Sequence, residues 1–516
     1  MGQLSYGEIR RNSHFIARSE GAKICPGGEG LPAMCKEAAG CSFWEKERDM
    51  EEEGNMESIN RRELLAATAA LGVMGTAALA PKAADAQEDG TPVDVASLGG
   101  STMGIDELNR RRHELVDSVG EHVCEDGTVV PAVWNKLRAL FNSYGLGYAG
   151  DVEEDVSFDF LMANMTEDEA QAYIEMPYGV VFTAAEFAAA SGRDEAECAN
   201  VCEDLSHRGL LWRARRAGVA YYHQVAIVHG VFEYNLNRYY EDGWIPSFVS
   251  SYLEPVYANA AFLTGGTPFY YAIPCEENIV ADEEGILPLD DYQKIIDRNE
   301  VICVAPCQCR LMAMSAEGIE APALGSEELK DYMSPLCGHP LETCMVFGEE
   351  AEYYIENGIA RQIDRDEAKS ILERSVDHGM ILQSCFTQGS EVICSCTGEC
   401  CGILKGYVAA GPEACEELGI SYANTSNYDL VYDKDACVKC GACVERCPMF
   451  AISMDDEGYP QVNALCMRCG QCGIVCPAQA RKLTAKPAEQ RLEMPHDMLG
   501  DYNLKAAYRF EHDLVH

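Results

Sequence analysis

The amino-acid sequence predicts an α+β protein of several domains, and three features of the chain lead to this class. Between residues 165 and 231, helical patterns are followed by an extended segment that is typical of a β-ribbon. Further on, a buried strand at 301–305 precedes three tight groups of cysteines that are separated by helical segments. Near the C-terminus, one cysteine spacing occurs twice with a hairpin pattern between the copies. Helices and strands distributed in this way favour an α+β multidomain architecture.

The repeated spacing lies between residues 437 and 477 and places two, two and three residues between successive cysteines. Each copy ends in Cys-Pro. This is the cysteine run of bacterial two-cluster ferredoxins, in which three cysteines hold one [4Fe-4S] cluster and the fourth reaches across to the other. The predicted ligands are Cys437, Cys440, Cys443 and Cys476 for one cluster and Cys466, Cys469, Cys472 and Cys447 for the other.

Other residues of this stretch fit the same interpretation. Gly441 and Gly470 each follow the second ligand of a run, where the backbone must bend tightly. Residues 451–462 predict a hairpin. A pair of zinc ribbons is the alternative, but zinc uses two pairs of thiolates, not two runs of four that end in proline. By these motifs, residues 428–485 resemble the bacterial dicluster ferredoxin family, which implies a ferredoxin-like 2[4Fe-4S] domain.

Composition limits the number of domains and the kind of partner. Without the first 86 residues, 430 residues remain, which is enough for about three domains. The chain has 40 Lys and Arg against 84 Asp and Glu, a net charge of −44. This charge repels nucleic acid and anionic membranes, and it favours a protein redox partner with a basic docking face. The 26 cysteines are mostly grouped with metal-ligand spacing, unlike a disulfide framework.

The N-terminal part contains a predicted export signal. Residues 1–55 show no apolar periodicity and are interpreted as an over-extended or disordered N-terminus. Asn-Arg-Arg-Glu at 60–63 precedes an uncharged run and a site with small residues at 84 and 86. Together these features predict a twin-arginine signal peptide at 56–86. The protein is then expected in the periplasm or on the outer face of the cytoplasmic membrane, held to a membrane only through a partner; a cytoplasmic protein with a retained helix is the alternative.

Residues 87–158 are predicted to be a linker with helices at 105–122 and 132–144. The next segment, 159–232, predicts a winged-helix-like module because helices at 166–176, 183–191 and 195–208 precede an extended return at 212–222. Its third helix carries Cys198 and Cys202, which are interpreted as buried core residues.

DNA binding by this module is disfavoured by its charge. The helix that would enter the groove is acidic, so it would meet phosphates with the wrong sign. Only the extended return is basic, with Arg213, Arg215 and Arg216. The winged-helix-like module is therefore interpreted as a scaffold or docking unit.

Residues 233–425 are predicted to form a cysteine-rich central α/β domain. Its aromatic first part is interpreted as core and interface packing, because the segment has no Gly-rich phosphate loop to support a flavin. A helix at 290–299 and the buried strand at 301–305 follow. The candidate metal ligands of this domain are eight cysteines in three groups, namely Cys307 and Cys309, then Cys337 and Cys344, then Cys394, Cys396, Cys400 and Cys401.

Thiolates at this density would repel each other in a core unless a cation neutralised them, which favours one or two metal sites over eight free thiols. Zinc and a further [4Fe-4S] cluster both fit the spacing, and the neighbouring ferredoxin-like domain favours iron. Arg310 and His339 are candidates to donate to sulfur or to pair with Glu342. Three cysteines outside the groups are interpreted as core residues: Cys303, Cys385 and Cys415.

Over residues 160–480, the chain is also similar to a family of dicluster ferredoxin-type proteins of anaerobic bacteria. The matching motifs are Cys-x-Cys-Arg at 307–310, Pro-Leu-Glu-x-Cys-x-x-Phe-Gly at 340–348 and Cys-x-Cys-x-x-x-Cys-Cys at 394–401. The resemblance implies iron–sulfur binding and electron transfer but no particular substrate. Many relatives carry one more cysteine in the last group, where this chain has Ser395 or Thr397, which leaves the ligand count of the central site open.

The sequence thus predicts an iron–sulfur electron-transfer protein, either a ferredoxin-type subunit or a redox partner of an exported anaerobic oxidoreductase. Its ferredoxin domain is expected at 426–485, with a C-terminal tail at 486–516. One alternative is a reductase with a catalytic metal centre in the central domain. Another is a cytoplasmic redox-responsive regulator that uses the winged helix. An electron-transfer subunit is favoured over a stand-alone catalyst, and the sequence identifies no catalytic residue.

Overall fold

A computed structural model describes residues 103–124, 127–144, 157–241, 270–275, 287, 290–417, 426–491, 493–513 and 515. The predicted N-terminus at 1–55, the predicted signal peptide at 56–86 and much of the aromatic segment lie outside these residues. No helix within the described ranges combines the length and the hydropathy that a membrane span requires.

The first described elements are two helices joined by a short hairpin. Helix α1 (Ile105–Ser118) and helix α2 (Ala132–Ser143) pack against each other, and strands β1 (His122–Val123) and β2 (Val129–Val130) pair between them. Helix α1 is shorter than predicted because the backbone becomes extended at Val119, which frees His122 to enter the hairpin.

Four helices and an antiparallel ribbon follow. They are α3 (Ser157–Asn164), α4 (Glu167–Ile174), α5 (Ala184–Ser191), α6 (Glu195–His207), β3 (Leu211–Arg216) and β4 (Val219–Gln224). Cys198 and Cys202 of α6 are fully buried, as expected of core residues. Helices α4 and α5 each begin with a capping box, which explains why they start where they do.

The cap of α5 gives a stability prediction. The Thr183 hydroxyl accepts from the Glu186 N–H at 3.3 Å, and the Glu186 carboxylate accepts from the Thr183 N–H at 2.8 Å. Thr183→Ala should lower the free energy of unfolding by about 1 kcal/mol, because an N–H of the first turn loses its acceptor. Ser118→Ala is the control, since this exposed hydroxyl binds only the Leu115 carbonyl; its effect should stay within about 0.5 kcal/mol. Urea denaturation of both variants measures the difference, and equal midpoints would refute the cap's contribution.

The central part is built on one six-stranded sheet. Its strands are β5 (Tyr270–Ile273), β6 (Ile302–Pro306), β7 (Glu342–Phe347), β8 (Arg361–Gln362), β9 (Ile381–Cys385) and β10 (Val392–Cys396), in the order β5-β9-β10-β7-β6-β8. Every pairing in this sheet is antiparallel. The central part is therefore α+β, and the predicted α/β class is wrong. The helices that follow β6 and β7 return the chain to antiparallel neighbours instead of making the parallel crossovers typical of α/β folds.

Eight helices accompany this sheet in the described chain. They are α7 (Val231–Tyr234), α8 (Leu236–Glu241), α9 (Tyr292–Arg298), α10 (Gln308–Ala316), α11 (Glu327–Lys330), α12 (Gly348–Glu356), α13 (Arg365–Asp377) and α14 (Gly402–Glu417). Helix α14 breaks at Gly411, which has a φ of 83° and is followed by proline. The buried strand expected at 301–305 is β6, and all of its residues are buried.

The described C-terminal part contains two short two-stranded sheets, three α-helices and a 3-10 turn at Ala488–Gln490. Strand β11 (Tyr428–Tyr432) pairs with β14 (Arg481–Ala485), and β12 (Ile452–Met454) pairs with β13 (Pro460–Val462). The helices are α15 (Ala442–Arg446), α16 (Gln471–Ile474) and α17 (Met498–Glu511), and α17 packs against α1 and α2.

One apolar core connects these parts. It includes Phe187 of α5, Val346 of β7, Cys401 before α14 and Met467 between β13 and α16. All described residues belong to one compact unit. The cysteine runs near the C-terminus are therefore packed on the central sheet.

Candidate metal centres

The two cysteine runs fold into loops with the same backbone. Positive φ angles between 50° and 86° occur at equivalent positions of the two runs. These positions are Lys439 and Arg468, Gly441 and Gly470, and Phe450 and Gln479. The repeat seen in the sequence is therefore also a repeat of conformation. Glycine at 470 also avoids a tight contact, because a Cβ there would lie 3.1 Å from Cδ1 of Leu483.

Four cysteines of the two runs line one cavity, which we call the outer site: Cys437, Cys440, Cys443 and Cys476. Cys476 comes from the second run, so the structure makes the crossing that the sequence predicts. The Lys439 N–H donates to Sγ of Cys437 at 3.5 Å, and the Ala480 N–H donates to Sγ of Cys476 at 3.2 Å. Four convergent sulfurs with backbone donors fit a [4Fe-4S] cluster, whose ligands must be thiolates.

The other four cysteines form the inner site: Cys447, Cys466, Cys469 and Cys472. Their thiols are close enough to interact electrostatically, and the Ala451 N–H donates to Sγ of Cys447 at 3.3 Å. This bond matches the one from Ala480 to Cys476 in the outer site. Burial raises the pKa of Cys472 to about 12, so this thiol needs a bound cation to become a thiolate near neutral pH.

The inner site has a neighbour that sequence analysis missed. Cys275 follows β5, is buried, and donates its N–H to the Cys469 carbonyl at 3.0 Å. It stands alone in the chain, so no spacing pattern could reveal it. Its backbone links the first strand of the central sheet to the second cysteine run.

The structure also brings the eight central cysteines together, and we call this group the central array. Cys307 caps the N-terminus of α10 and Cys309 lies in its first turn. Cys344 lies in β7, and the remaining members lie in β10, before α14 and in the loop before β7. Three segments far apart in sequence therefore meet at one end of the sheet.

Six thiols of the array form a continuous row in which each thiol affects the ionisation of the next. Its order is Cys344, Cys394, Cys396, Cys401, Cys309, Cys307. Cys337 and Cys400 form a separate pair in which each thiol affects the ionisation of the other. Hydrogen bonds from neighbouring thiols, and then burial, raise the pKa of Cys394 and Cys396 well above its usual range. Without a metal, protonation would therefore relieve the repulsion expected between these groups.

Cys400 differs from the other members of the array. Its hydrogen bond from Cys337, together with the Arg310 guanidinium, holds its pKa well below the usual range. Nη1 of Arg310 lies 3.5 Å from Sγ of Cys400 and 3.1 Å from the Ser395 carbonyl, and Nη2 donates to the Thr343 hydroxyl. The Thr397 hydroxyl also lies 3.3 Å from this sulfur. The array thus contains one stabilised thiolate beside a buried cation.

The sequence left two roles open for Arg310 and His339, namely donation to sulfur and pairing with Glu342. Glu342 pairs with Arg361 at 2.7 Å instead, so the expected pairing of Glu342 with Arg310 or His339 is wrong. The reason is that β7 and β8 both pair with β6, which places the two side chains on the same side of the sheet. Nε of Arg310 and Nδ1 of His339 are buried without a hydrogen-bond partner in the described structure. These two nitrogens are available to donate hydrogen bonds to the sulfurs of a bound cluster.

Cys303 and Cys385 lie in the core, as expected. In the described ranges, no three His, Cys, Asp or Glu side chains have the positions of a preformed metal site. This holds for the outer and inner sites as well as for the central array.

Comparison with known proteins gives two matches to the C-terminal part. A family model described as a 4Fe-4S dicluster domain matches residues 413–481. A ferredoxin from Pyrobaculum islandicum is 37% identical over 60 residues, which are 11% of this chain and 56% of the relative. The match therefore spans little more than half of the relative's length. No solved structure matches the chain significantly.

The C-terminal part thus contains a ferredoxin-type 4Fe-4S domain, and this domain supports iron–sulfur binding and an electron-transfer role. The ferredoxin-type 4Fe-4S domain that the cysteine spacing predicts is confirmed at this level.

Proposed function

We propose that the chain is an exported electron-transfer subunit that connects a protein partner with the central array through two [4Fe-4S] clusters. The observation that carries this proposal is the spatial order of the three cysteine groups. Cys440 of the outer site is exposed, whereas Cys466 and Cys469 of the inner site pack on the same core as Cys396 and Cys401 of the array. We infer that the inner site lies on the side of the ferredoxin-type domain that faces the array.

Two backbone contacts support this order. The Gly398 N–H, between two cysteines of the array, donates to the Pro448 carbonyl at 2.8 Å, next to Cys447 of the inner site. The contact between Cys275 and Cys469 is the second. Bound [4Fe-4S] clusters supply one-electron transfer, with potentials set by hydrogen bonds to sulfur and by burial. The backbone donors to Cys437, Cys447 and Cys476 are such hydrogen bonds.

We further propose that the central array holds metal, with iron–sulfur preferred over zinc. Eight thiols in contact provide more ligands than one cubane cluster or one zinc requires. The buried Arg310 beside Cys400 can neutralise the excess negative charge of an all-thiolate cluster. Zinc with four thiolates also carries excess negative charge, so Arg310 and the surplus of ligands fit zinc as well, and the preference for iron rests on the neighbouring ferredoxin-type domain.

The proposed partner is a protein with a basic docking face. The net charge of −44 favours such a partner, and Val438 beside Cys440 exposes 63% of its surface at the outer site. Nucleic acid remains a poor partner. In the ribbon, Arg213 and Arg215 pair with Glu203 and Glu356, and Arg216 pairs with Glu349, so their charges are already neutralised.

A reductase is the second candidate function. The surplus of thiols in the central array favours it, because a metal there need not use all eight sulfurs as permanent ligands. A small molecule that changes the spectrum of the array and not that of the ferredoxin domain would support the reductase.

The metal content tests the proposal. We expect the anaerobically purified chain to contain about twelve or more irons with matching sulfide, because a third cluster would add about four to the eight of the ferredoxin domain. About eight irons with one or two zincs would indicate that the array binds zinc and has a structural role. About eight irons without zinc would leave the array as thiols and contradict the proposed connection.

A further inference from the structure

A buried group of ionisable side chains adjoins the central array and belongs to none of the cysteine sites. His229, just before α7, lies between two carboxyl groups. Its Nδ1 is 3.7 Å from Oε1 of Glu233, and its Nε2 is 3.9 Å from Oε1 of Glu350. His229 and Glu350 are each 2–3% exposed. Two carboxyl groups and an imidazole buried together are costly in free energy, so their presence calls for a chemical reason.

Tyrosine connects this group to the array. The Tyr270 hydroxyl lies 3.5 Å from Nδ1 of His229 and 3.9 Å from Sγ of Cys394. Cys394 belongs to the row of six neighbouring thiols in the array. A line of polar atoms therefore runs from the cysteine array through Tyr270 and His229 to both carboxyl groups, with no step longer than 3.9 Å.

The carboxyl groups have few donors of their own. Oε2 of Glu350 accepts from Nε1 of Trp212 at 2.6 Å, but Oε1 has no hydrogen-bond partner in the described structure. Glu233 accepts from the Gly230 N–H at 2.8 Å. The other titratable groups that face this site, or act on it, include Tyr234 of α7, Tyr270 of β5, Cys303 of β6, Cys344 of β7, Tyr353 and Tyr354 of α12, Cys385 of β9, Glu391 before β10 and Tyr502 of α17.

We propose that His229, Glu233 and Glu350 form a buried proton-accepting site that takes up a proton when the central array is reduced. The proposal rests on the proposed function, since it requires a central array that can be reduced. An added electron places negative charge close to the site in a medium of low dielectric constant. Coulomb repulsion then favours the neutral form of any ionised carboxylate nearby.

The step balances in charge and atoms. The reduced iron–sulfur sites of the same chain supply one electron to the array, and solvent supplies one proton. The proton bonds to a carboxylate oxygen of Glu233 or Glu350, no other covalent bond changes, and oxidation of the array releases both particles. Tyr270 and His229 position the site next to the array.

The ionisation of the carboxyl groups supports this role. Burial raises the pKa of Glu233 and of Glu350 to about 8, and burial lowers the pKa of His229 to about 3. The imidazole is therefore neutral, and the carboxyl groups change protonation close to neutral pH. Below about pH 8 they are already protonated in both redox states, so coupling between electron and proton should appear above this value.

The test measures the potential of the central array between pH 6 and 10 in the full chain. The signal of the array is identified with two variants. Cys440→Ala should lack the outer cluster and Cys447→Ala the inner one, so a redox signal that remains in both variants comes from the array. We expect a constant potential below about pH 8. Above it, the potential should fall by about 59 mV per pH unit, which is a tenfold change in the equilibrium of a one-electron reduction. Glu233→Gln and Glu350→Gln should weaken this slope. The control Glu349→Gln should keep it, since Glu349 is an exposed neighbour that pairs with Arg216.

Infrared difference spectra of the unmodified chain provide a second readout, which needs no variant protein. Reduction above pH 8 should add a protonated carboxyl band that shifts in D₂O and with ¹³C-labelled glutamate. A central signal with a pH-independent potential and no carboxyl band would overturn the proton site alone. If the chain has no central redox signal at all, the proposed function fails and the proton site fails with it.

Discussion

Cys447→Ala is expected to remove the inner cluster and to leave the outer one, although Cys447 lies in the first cysteine run. The outer site is lined by Cys476 from the second run, and Cys447 lies with Cys466 and Cys469. A cubane needs four ligands, and its loss should lower the iron content by about four per chain. Iron analysis and electron paramagnetic resonance of the reduced protein measure this loss.

The matched control is Cys476→Ala, which should remove the outer cluster instead. The two variants then lose equal amounts of iron, but they should differ in how fast the remaining cluster reacts with a chelator. The outer site includes the exposed Cys440, so the cluster left in Cys447→Ala should be attacked quickly. The cluster left in Cys476→Ala should be protected by the core. Equal rates, or the reverse order, would contradict the ligand assignment.

The ferredoxin domain could be predicted well because its information is local. Ligand spacing, the glycines at 441 and 470 and the prolines after the fourth cysteines all lie within a segment of about forty residues. The helix starts at Glu167 and Ala184 were likewise encoded in their capping residues. Where neighbours along the chain determine the structure, sequence reasoning could find it.

The central site could be predicted only in part, because tertiary contacts determine it. The eight cysteines were identified by their grouping, and the structure brings them together. Strand direction was not encoded locally, so the sheet was assigned to the wrong class. Cys275 contacts Cys469 and His229 lies close to Glu350, and each of these partners is more than 100 residues away in the chain. Neither residue has a spacing pattern that sequence analysis could use.

Arg310→Met is expected to lower the free energy of unfolding of the metal-free chain by about 3–5 kcal/mol. Arg310 is 1% exposed, and it is the cation beside the Cys400 thiolate. Methionine preserves much of the apolar volume but leaves the thiolate, the Ser395 carbonyl and the Thr343 hydroxyl without their donor. Urea denaturation in the presence of a chelator and a reductant measures the change.

Arg310→Lys separates charge from geometry. A guanidinium can reach Cys400, Ser395 and Thr343 at the same time from one plane, whereas an ammonium group is a point charge on a flexible stem. Lysine should therefore recover only part of the lost stability. Arg374→Met is the control, because the partly exposed Arg374 pairs with the 92% exposed side chain of Asp331 and donates to the Lys330 carbonyl at 2.9 Å. Surface ion pairs of this kind contribute about 1 kcal/mol or less, so its loss should cost less than the loss of a buried cation. If Arg310→Met were no more harmful than Arg374→Met, Arg310 would not be the cation that stabilises the Cys400 thiolate.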